Sequence, residues 1–294
     1  MFKQAIAAAA LAVTGMAHAF VPQAGTWIIS NELNGKPGRG FAIDFQNDIM
    51  VMQVYAYESN GQPTFYMSSG KIQDVKVDNI TQAVVDAKLG RYEGGRFLGS
   101  GDRSGVEAGS PGNVRLRFVS GTKGYITLPG EQEKEIKRYQ FGYDDSPASL
   151  LGMWTLLYAT QNGQIEQDVA DLTRTTNGSS YSNGMAVSYD GMYACEQLIR
   201  GSDAGKTQCI KYRSGSSSST VRSFLMTWSV NTGEGDWRNT GSSGNGAVYA
   251  NRLIQGNDRI TSILRKFPAD GAGEPVTNND DALRAALEEL AASR

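Results

Sequence analysis

The sequence predicts an all-β fold of two tandem antiparallel β-barrel-like or sandwich domains, followed by one C-terminal amphipathic helix. The pattern Gly-x-Trp opens an apolar run twice, at Gly25–Trp27 and at Gly152–Trp154. Short apolar runs of period two follow each copy, as expected of half-buried strands. The predicted boundaries are 1–19 for a signal peptide, 20–146 for the first domain, 147–268 for the second, and 269–294 for a linker and the helix.

In the first domain, the clearest predicted strands surround a tight turn. The segment RGFAIDFQND places Phe41, Ile43 and Phe45 on one face, as in a half-buried strand. Asn60-Gly61 joins the next two strands, because both residues tolerate the positive φ angles of hairpin turns. Further strands are predicted at 71–77, 82–92, 113–120, 123–128 and 134–141, with a long loop at 99–112.

The second domain follows the turn-rich segment GYDDSPAS. Its strands are predicted at 153–158, 165–173, 184–189, 191–198, 207–213, 221–230 and 247–254, with a last strand at 259–267. Two segments rich in Gly and Ser, 213–220 and 231–246, are predicted to be flexible.

The segment NNDDALRAALEELAASR is the predicted helix. Asn278 to Asp281 supply an N-terminal cap and favourable acidic charge. Leu283, Leu287 and Leu290 recur at helical spacing. Such a helix either packs against its own domain or recruits a partner.

The first nineteen residues have the features of a secretory signal. A lysine is followed by an apolar stretch and by Ala17-His18-Ala19, so cleavage is expected before Phe20. Export to the periplasm or the exterior is therefore predicted, and no later stretch is apolar enough to predict an integral membrane span. His18 is the chain's only histidine, so the mature protein is predicted to lack Ser-His-Asp catalysis, Cys-His catalysis and any histidine-ligated metal.

The net charge and the two cysteines limit the kinds of partner and predict a disulfide. A net charge of −2 argues against a nucleic-acid partner, which would require a clustered basic surface. The basic cluster of Lys134, Lys137 and Arg138 is interleaved with glutamates and indicates a solvated strand. Cys195 and Cys209 are the only cysteines. In an oxidising compartment they are predicted to form a disulfide that staples a hairpin.

Gly-x-Trp before an up-and-down series of strands resembles the opening of a lipocalin-type barrel. The resemblance implies that each tryptophan closes a barrel base and that an arginine from the last strand packs on it. Arg138 and Arg252 lie near the ends of the two domains, where such partners belong.

The first third of the mature chain is also similar to a group of uncharacterised exported bacterial proteins made of tandem β-rich units. The similarity rests on Gly25-Thr26-Trp27, Gly40-Phe41, Gln46, Tyr55-Ala56-Tyr57, Gly61-Gln62-Pro63 and Phe65-Tyr66.

Aromatic residues are the main ligand-binding candidates. Trp27 and Trp154 are predicted to be core residues. Tyr55, Tyr57 and Phe65 form either a platform for sugar rings or apolar ligands, or part of a barrel lining. Trp237 lies in a glycine-rich segment and is either an exposed ligand contact or a loop anchor.

The function predicted from these observations is an exported, non-catalytic binding protein. Its partner is a small apolar ligand, a glycan or an envelope protein, and no metal or cofactor is expected. A large internal cavity would favour binding inside a barrel, and a filled core would favour surface recognition. One alternative is a glycan hydrolase with two carboxylates about 5–10 Å apart in a cleft. Another is a structural protein that docks through its C-terminal helix.

Overall fold

A computed structural model describes residues 21–73, 77–212, 220–240, 244–256 and 280–293. The chain divides into two units between Lys137 and Arg138, upstream of the predicted boundary at 146. The predicted signal peptide, the predicted strand at 259–267 and nearly all of the segment 213–220 lie outside the described residues. Within the described ranges, no helix is long and apolar enough to cross a membrane.

The first unit is a closed antiparallel barrel of eight strands with one short strand added beside it. The order around the barrel is β1-β2-β3-β4-β5-β7-β8-β9, with β4 pairing to β5. A two-residue strand, β6, lies in the segment predicted to be a long loop and pairs with β5. The bounds are β1 Gly25–Ile29, β2 Gly40–Gln46, β3 Ile49–Tyr57, β4 Pro63–Lys71, β5 Ala83–Glu93, β6 Val106–Glu107, β7 Gly112–Phe118, β8 Lys123–Thr127 and β9 Lys134–Arg138.

Alternating burial along the strands forms the core of this barrel. In β3, for example, Met50, Met52 and Val54 are buried whereas their neighbours in sequence face outward. The core cluster of the first unit consists entirely of apolar side chains, with Trp27 and Phe118 edge-to-face at its centre. The predicted hairpin at Asn60-Gly61 is confirmed, and Gly61 has a φ of 81°.

The two Gly-x-Trp motifs have the same local geometry. Gly25 and Gly152 both adopt positive φ, at 133° and 125°, a conformation that other residues rarely take. The Trp27 and Trp154 indoles each donate a hydrogen bond to the carbonyl oxygen four residues earlier, at 3.0 and 2.8 Å. The repeated motif therefore encodes a repeated barrel start.

A charged network joins the start of β2 to the turn before β9. Arg39 donates hydrogen bonds to both carboxylate oxygens of Glu32 and to both of Glu131. Lys134 Nζ lies 2.9 Å from Glu32 and 2.8 Å from Glu131. The hydrogen bonds from Arg39 are the largest influence and lower the pKa of each glutamate to about 2, despite partial burial.

Acid is therefore expected to weaken this network. The folded pKa values lie below the ordinary value of 4.5, so the stabilisation is present above about pH 5 and is lost as the pH falls towards about 2. Arg39→Gln should lower the free energy of unfolding of the first unit by about 1 kcal/mol near neutral pH. At low pH the deficit should nearly vanish. Denaturant titrations at both pH values measure this difference, and equal deficits would contradict the assignment.

The second unit is an up-and-down barrel in which each strand pairs with the next and β17 closes on β10. A 3₁₀ turn at Pro147–Leu150 precedes it. The bounds are β10 Gly152–Thr160, β11 Ile165–Thr176, β12 Ser182–Ser188, β13 Tyr193–Leu198, β14 Thr207–Tyr212, β15 Thr220–Ser229, β16 Thr232–Asn239 and β17 Asn245–Gln255. Both units are thus closed barrels, which confirms the predicted all-β fold.

The prediction that 231–246 is a flexible segment is wrong, because most of it forms β16 and the start of β17. Its glycines allow neighbouring strands to approach closely. A Cβ atom on Gly235 would lie 2.0 Å from the carbonyl oxygen of Leu225, and one on Gly246 would lie 1.9 Å from that of Ala159. Glycine inside a strand can mark such a close approach rather than a loop.

Cys195 and Cys209 form a disulfide, and they lie directly opposite each other on β13 and β14. Both side chains belong to the apolar interior of the second barrel. The bond therefore staples a hairpin, as predicted.

The C-terminal helix, α1 (Asp280–Ala292), packs on the outside of the second barrel. Leu283 and Leu287 are fully buried there against a cluster that includes Val187, Ala194 and Ile210. Polar contacts add to this packing. Arg174 binds both carboxylate oxygens of Asp280, and Tyr212 Oη, Gln208 Nε2 and Ser180 also bond to the helix.

Candidate functional site

A cleft of about 440 Å³ opens at one end of the second barrel. The meander brings together the end of β10, the start of β11, the end of β14 and the start of β15. We call the side chains that line this cleft the mouth cluster: Tyr158, Glu166, Gln167, Asp168, Lys211, Val221 and Arg222.

Asp168 is the anionic centre of the mouth cluster. Its carboxylate accepts hydrogen bonds from the Tyr193 hydroxyl and from Lys211 Nζ. Burial, the largest single influence, would raise the pKa of Asp168, but the hydrogen bonds from Lys211 and Tyr193 together hold it below the ordinary value. Asp168 is therefore charged at neutral pH.

Arg222 is another charged residue that lines the cleft and is held by several contacts. Its Nε donates to Asn239 at 3.0 Å and its guanidinium also donates to Glu166 at 2.7 Å. The guanidinium carbon lies 4.2 Å from the centroid of the Tyr158 ring and 4.3 Å from that of Trp237. Hydrogen bonds and stacking thus hold Arg222 over the Tyr158 and Trp237 rings.

Trp237 supports Arg222 from inside the barrel. Of the two alternatives for Trp237, the exposed ligand contact is wrong, because the side chain is only 3 % exposed, and the anchoring residue lies on strand β16 rather than in a loop. Its indole Nε1 donates to the carbonyl oxygen of Ala159 at 3.1 Å. Trp237 therefore does not present a free face to a ligand and acts on the cleft through Arg222.

The Tyr158 hydroxyl is the unusual group of the cluster. The side chain is fully buried, and its hydroxyl makes no hydrogen bond of normal geometry to the described residues, although the Tyr193 hydroxyl and the Arg222 guanidinium are its polar neighbours. Burial raises the pKa of Tyr158 well above the ordinary value, and Tyr193 and Arg222 offset only part of that effect. The group therefore stays protonated as a potential donor. Leaving a buried polar group unpaired costs about 1–3 kcal/mol.

Below the mouth cluster the barrel is filled. The internal cavity there measures only about 10 Å³ and is lined by apolar residues such as Leu156, Phe224 and Met226. That volume holds at most about one water molecule. A small apolar ligand therefore has no room in the interior of this barrel.

The opposite end of the barrel is closed by Trp154 and Arg252. The Arg252 guanidinium lies 4.4 Å from the centroid of the Trp154 ring, close to Trp228 and Tyr143, and it donates to the carbonyl oxygen of Ser149 at 2.6 Å. Burial lowers the pKa of Arg252 to about 10. The structure thus places the Arg252 guanidinium against the Trp154 ring.

A depression of about 650 Å³ lies beside this closed end. It is larger than the mouth cleft, but Tyr158, whose hydroxyl is buried, lines the mouth cleft and not this depression. Arg252 is stacked as described, and the Asp144 carboxylate accepts hydrogen bonds from the Ser146 backbone N–H and the Ser149 hydroxyl. We therefore consider the mouth cleft the better candidate for a ligand site.

The structure places the remaining aromatic candidates in the first unit. Tyr55, Tyr57 and Phe65 lie on the outer face of β3 and β4 and are 53 %, 51 % and 45 % exposed. Tyr55 and Phe65 are direct cross-strand neighbours. The alternative that these residues line the barrel is therefore wrong, and they form an exposed aromatic surface. Arg138 is half-buried at the end of β9 and donates to the carbonyl oxygen of Tyr139.

Sequence reasoning missed Tyr158, Asp168, Lys211 and Arg222. The available signal was the position along the strand, because Asp168 lies on the same face of β11 as the buried Ala170 and Leu172. A charged residue at an inward position near a strand end indicates a polar barrel mouth.

No metal-binding group of three or more His, Cys, Asp or Glu side chains occurs in the part of the chain that the structure describes. No protein-family model, curated protein or solved structure matches the chain, so the geometry of the mouth cluster is the basis for its function.

Proposed function

We propose that the protein is an exported binding protein that holds a small polar ligand at the mouth of the second barrel without converting it. The observation that carries the proposal is the buried Tyr158 hydroxyl without a partner beside a polar cleft. The predicted signal peptide and the disulfide between Cys195 and Cys209 support export, because disulfides persist in oxidising compartments.

The buried Tyr158 hydroxyl lowers the stability of the protein unless it is hydrogen-bonded. A phenylalanine at position 158 would fill the same space without an unpaired hydroxyl. A hydrogen-bond acceptor on a ligand would satisfy the Tyr158 hydroxyl and recover that cost. The hydroxyl is buried and Tyr158 lines the cleft, so a ligand reaches the hydroxyl by displacing a neighbouring side chain of the mouth cluster.

A second candidate is the predicted glycan hydrolase. Glu166 and Asp168 share the mouth cleft and their Cα atoms are separated by roughly 7 Å, two residues along one strand. Hydrolysis needs one carboxyl group that is protonated and able to act as an acid. Asp168 has a lowered pKa, so only Glu166 could take that role, and it is paired with Arg222. Hydrolysis predicts release of reducing ends from oligosaccharides, whereas binding predicts none.

The alternative of a structural protein that docks through its C-terminal helix has less support. The apolar face of α1 is covered by the second barrel, where Leu283 and Leu287 are fully buried. A partner could bind that face only after displacing the helix.

Native mass spectrometry of the chain isolated from its own compartment tests the proposal. We expect the protein to begin at Phe20 and to carry a discrete additional mass that disappears on denaturation. Tyr158→Phe should lose this mass, because the ligand loses its donor. Tyr249→Phe is the matched control, because Tyr249 lies on the same barrel but is 49 % exposed on its outer face. A bound mass that survives Tyr158→Phe, or bare protein throughout, would contradict the proposed site.

A further inference from the structure

We infer that the ligand of the mouth cluster is a neutral, hydroxyl-rich molecule of the saccharide class. This inference rests on the proposed function and follows from the balance of charge and hydrogen-bonding groups in the cleft.

The charges of the mouth cluster are already neutralised in pairs. Lys211 is paired with Asp168, and Arg222 is paired with Glu166 at 2.7 Å. An anionic ligand would have to compete with these carboxylates for the same cations, and a cationic ligand would have to compete with Lys211 and Arg222. Desolvating a charged ligand is also costly unless it gains a new partner. The cleft therefore favours a ligand that carries no net charge.

The hydrogen-bonding capacity that remains is mixed. Donors come from Tyr158, Lys211 and Arg222, and acceptors come from Glu166 and Asp168, whose carboxylates offer about four lone-pair sites each. A hydroxyl group both donates and accepts, so several hydroxyls on one molecule satisfy both kinds of group together. One such hydroxyl would accept from Tyr158.

Size and polarity fit the same class. The cleft of about 440 Å³ lies within the range of roughly 300–1,000 Å³ typical of small-molecule sites. Its walls are mostly polar, and the apolar interior beneath is filled. A lipid or another apolar ligand would therefore leave the polar groups of the cleft unpaired.

Titration calorimetry on the intact mature chain tests the inference. The neutral probes are glucose, galactose, mannose, N-acetylglucosamine, maltose and trehalose, and the comparison probes are glucuronate, inorganic phosphate, spermidine and laurate. We expect at least one neutral saccharide to bind with one-to-one stoichiometry. Its affinity should not change with salt, because it carries no charge to screen. Tyr158→Phe should weaken binding at least about tenfold, and Tyr249→Phe should leave it unchanged.

The outcomes separate the ligand class from the site. Binding of a charged or apolar probe that Tyr158→Phe abolishes would overturn the saccharide class but support the proposed site. Saccharide binding that Tyr158→Phe leaves unchanged would overturn the inference at this site. Failure of every saccharide to bind would also overturn the inference. If the isolated protein then carries no additional mass either, the proposed function fails with it.

Discussion

Replacing Trp154 with alanine is expected to lower the free energy of unfolding of the second barrel by about 3–5 kcal/mol. The side chain is only 2 % exposed and contacts both the Arg252 guanidinium and the Trp228 ring at the closed end of the barrel. Its indole also bonds to the carbonyl oxygen of Leu150. Removing it leaves a cavity and leaves the buried Arg252 without its closest aromatic partner.

Trp27→Ala provides the matched control, because Trp27 occupies the same motif position in the first barrel. The units have separate core clusters, so each substitution should destabilise its own barrel. Denaturant titration measures the loss of unfolding free energy, and hydrogen exchange followed by peptide mass spectrometry shows which barrel is destabilised. A loss below about 1 kcal/mol for Trp154→Ala would show that this residue does not close the barrel.

Tyr158→Phe and Tyr193→Phe are expected to change stability in opposite directions, although both remove one buried hydroxyl. The Tyr193 hydroxyl donates to the charged Asp168, so its loss should cost about 1.5–3 kcal/mol. The Tyr158 hydroxyl has no partner among the described residues. Removing it should therefore raise the free energy of unfolding by about 1 kcal/mol. Because both changes are tyrosine to phenylalanine, the ring packing is preserved in each.

The strand pattern was predictable because alternating burial leaves a direct mark in the sequence. Met50, Met52 and Val54 alternate with outward residues in β3, and Asn60-Gly61 marks the turn that follows. The two barrel starts were visible as Gly25–Trp27 and Gly152–Trp154, because both glycines require positive φ. Local rules therefore predicted both barrels.

The segment around Trp237 was less predictable for a physical reason. Gly233 and Gly235 suggest a loop by composition. In the barrel they allow the close approach of neighbouring strands, since a Cβ on Gly233 would lie 2.8 Å from the sulfur atom of Met226. Sequence composition does not distinguish a flexible glycine from one that is packed against another strand.

The mouth cluster could not be predicted from motifs because its members come from distant parts of the chain. Asp168 and Lys211 meet only when the meander closes. Whether Tyr158 has a partner depends on the positions of Tyr193 and Arg222, which no local pattern specifies. The exposed surface of Tyr55, Tyr57 and Phe65 was identified as aromatic, but its orientation depended on barrel closure.

The most direct test of a hydroxyl reserved for a ligand is the free energy of unfolding of Tyr158→Phe relative to the unmodified chain, measured by denaturant titration after the bound mass has been removed. The predicted result is a rise of about 1 kcal/mol, with Tyr193→Phe showing a fall in the same experiment. A fall for Tyr158→Phe comparable to that of Tyr193→Phe would show that the Tyr158 hydroxyl is already satisfied within the protein, and would contradict the binding site at the mouth of the second barrel.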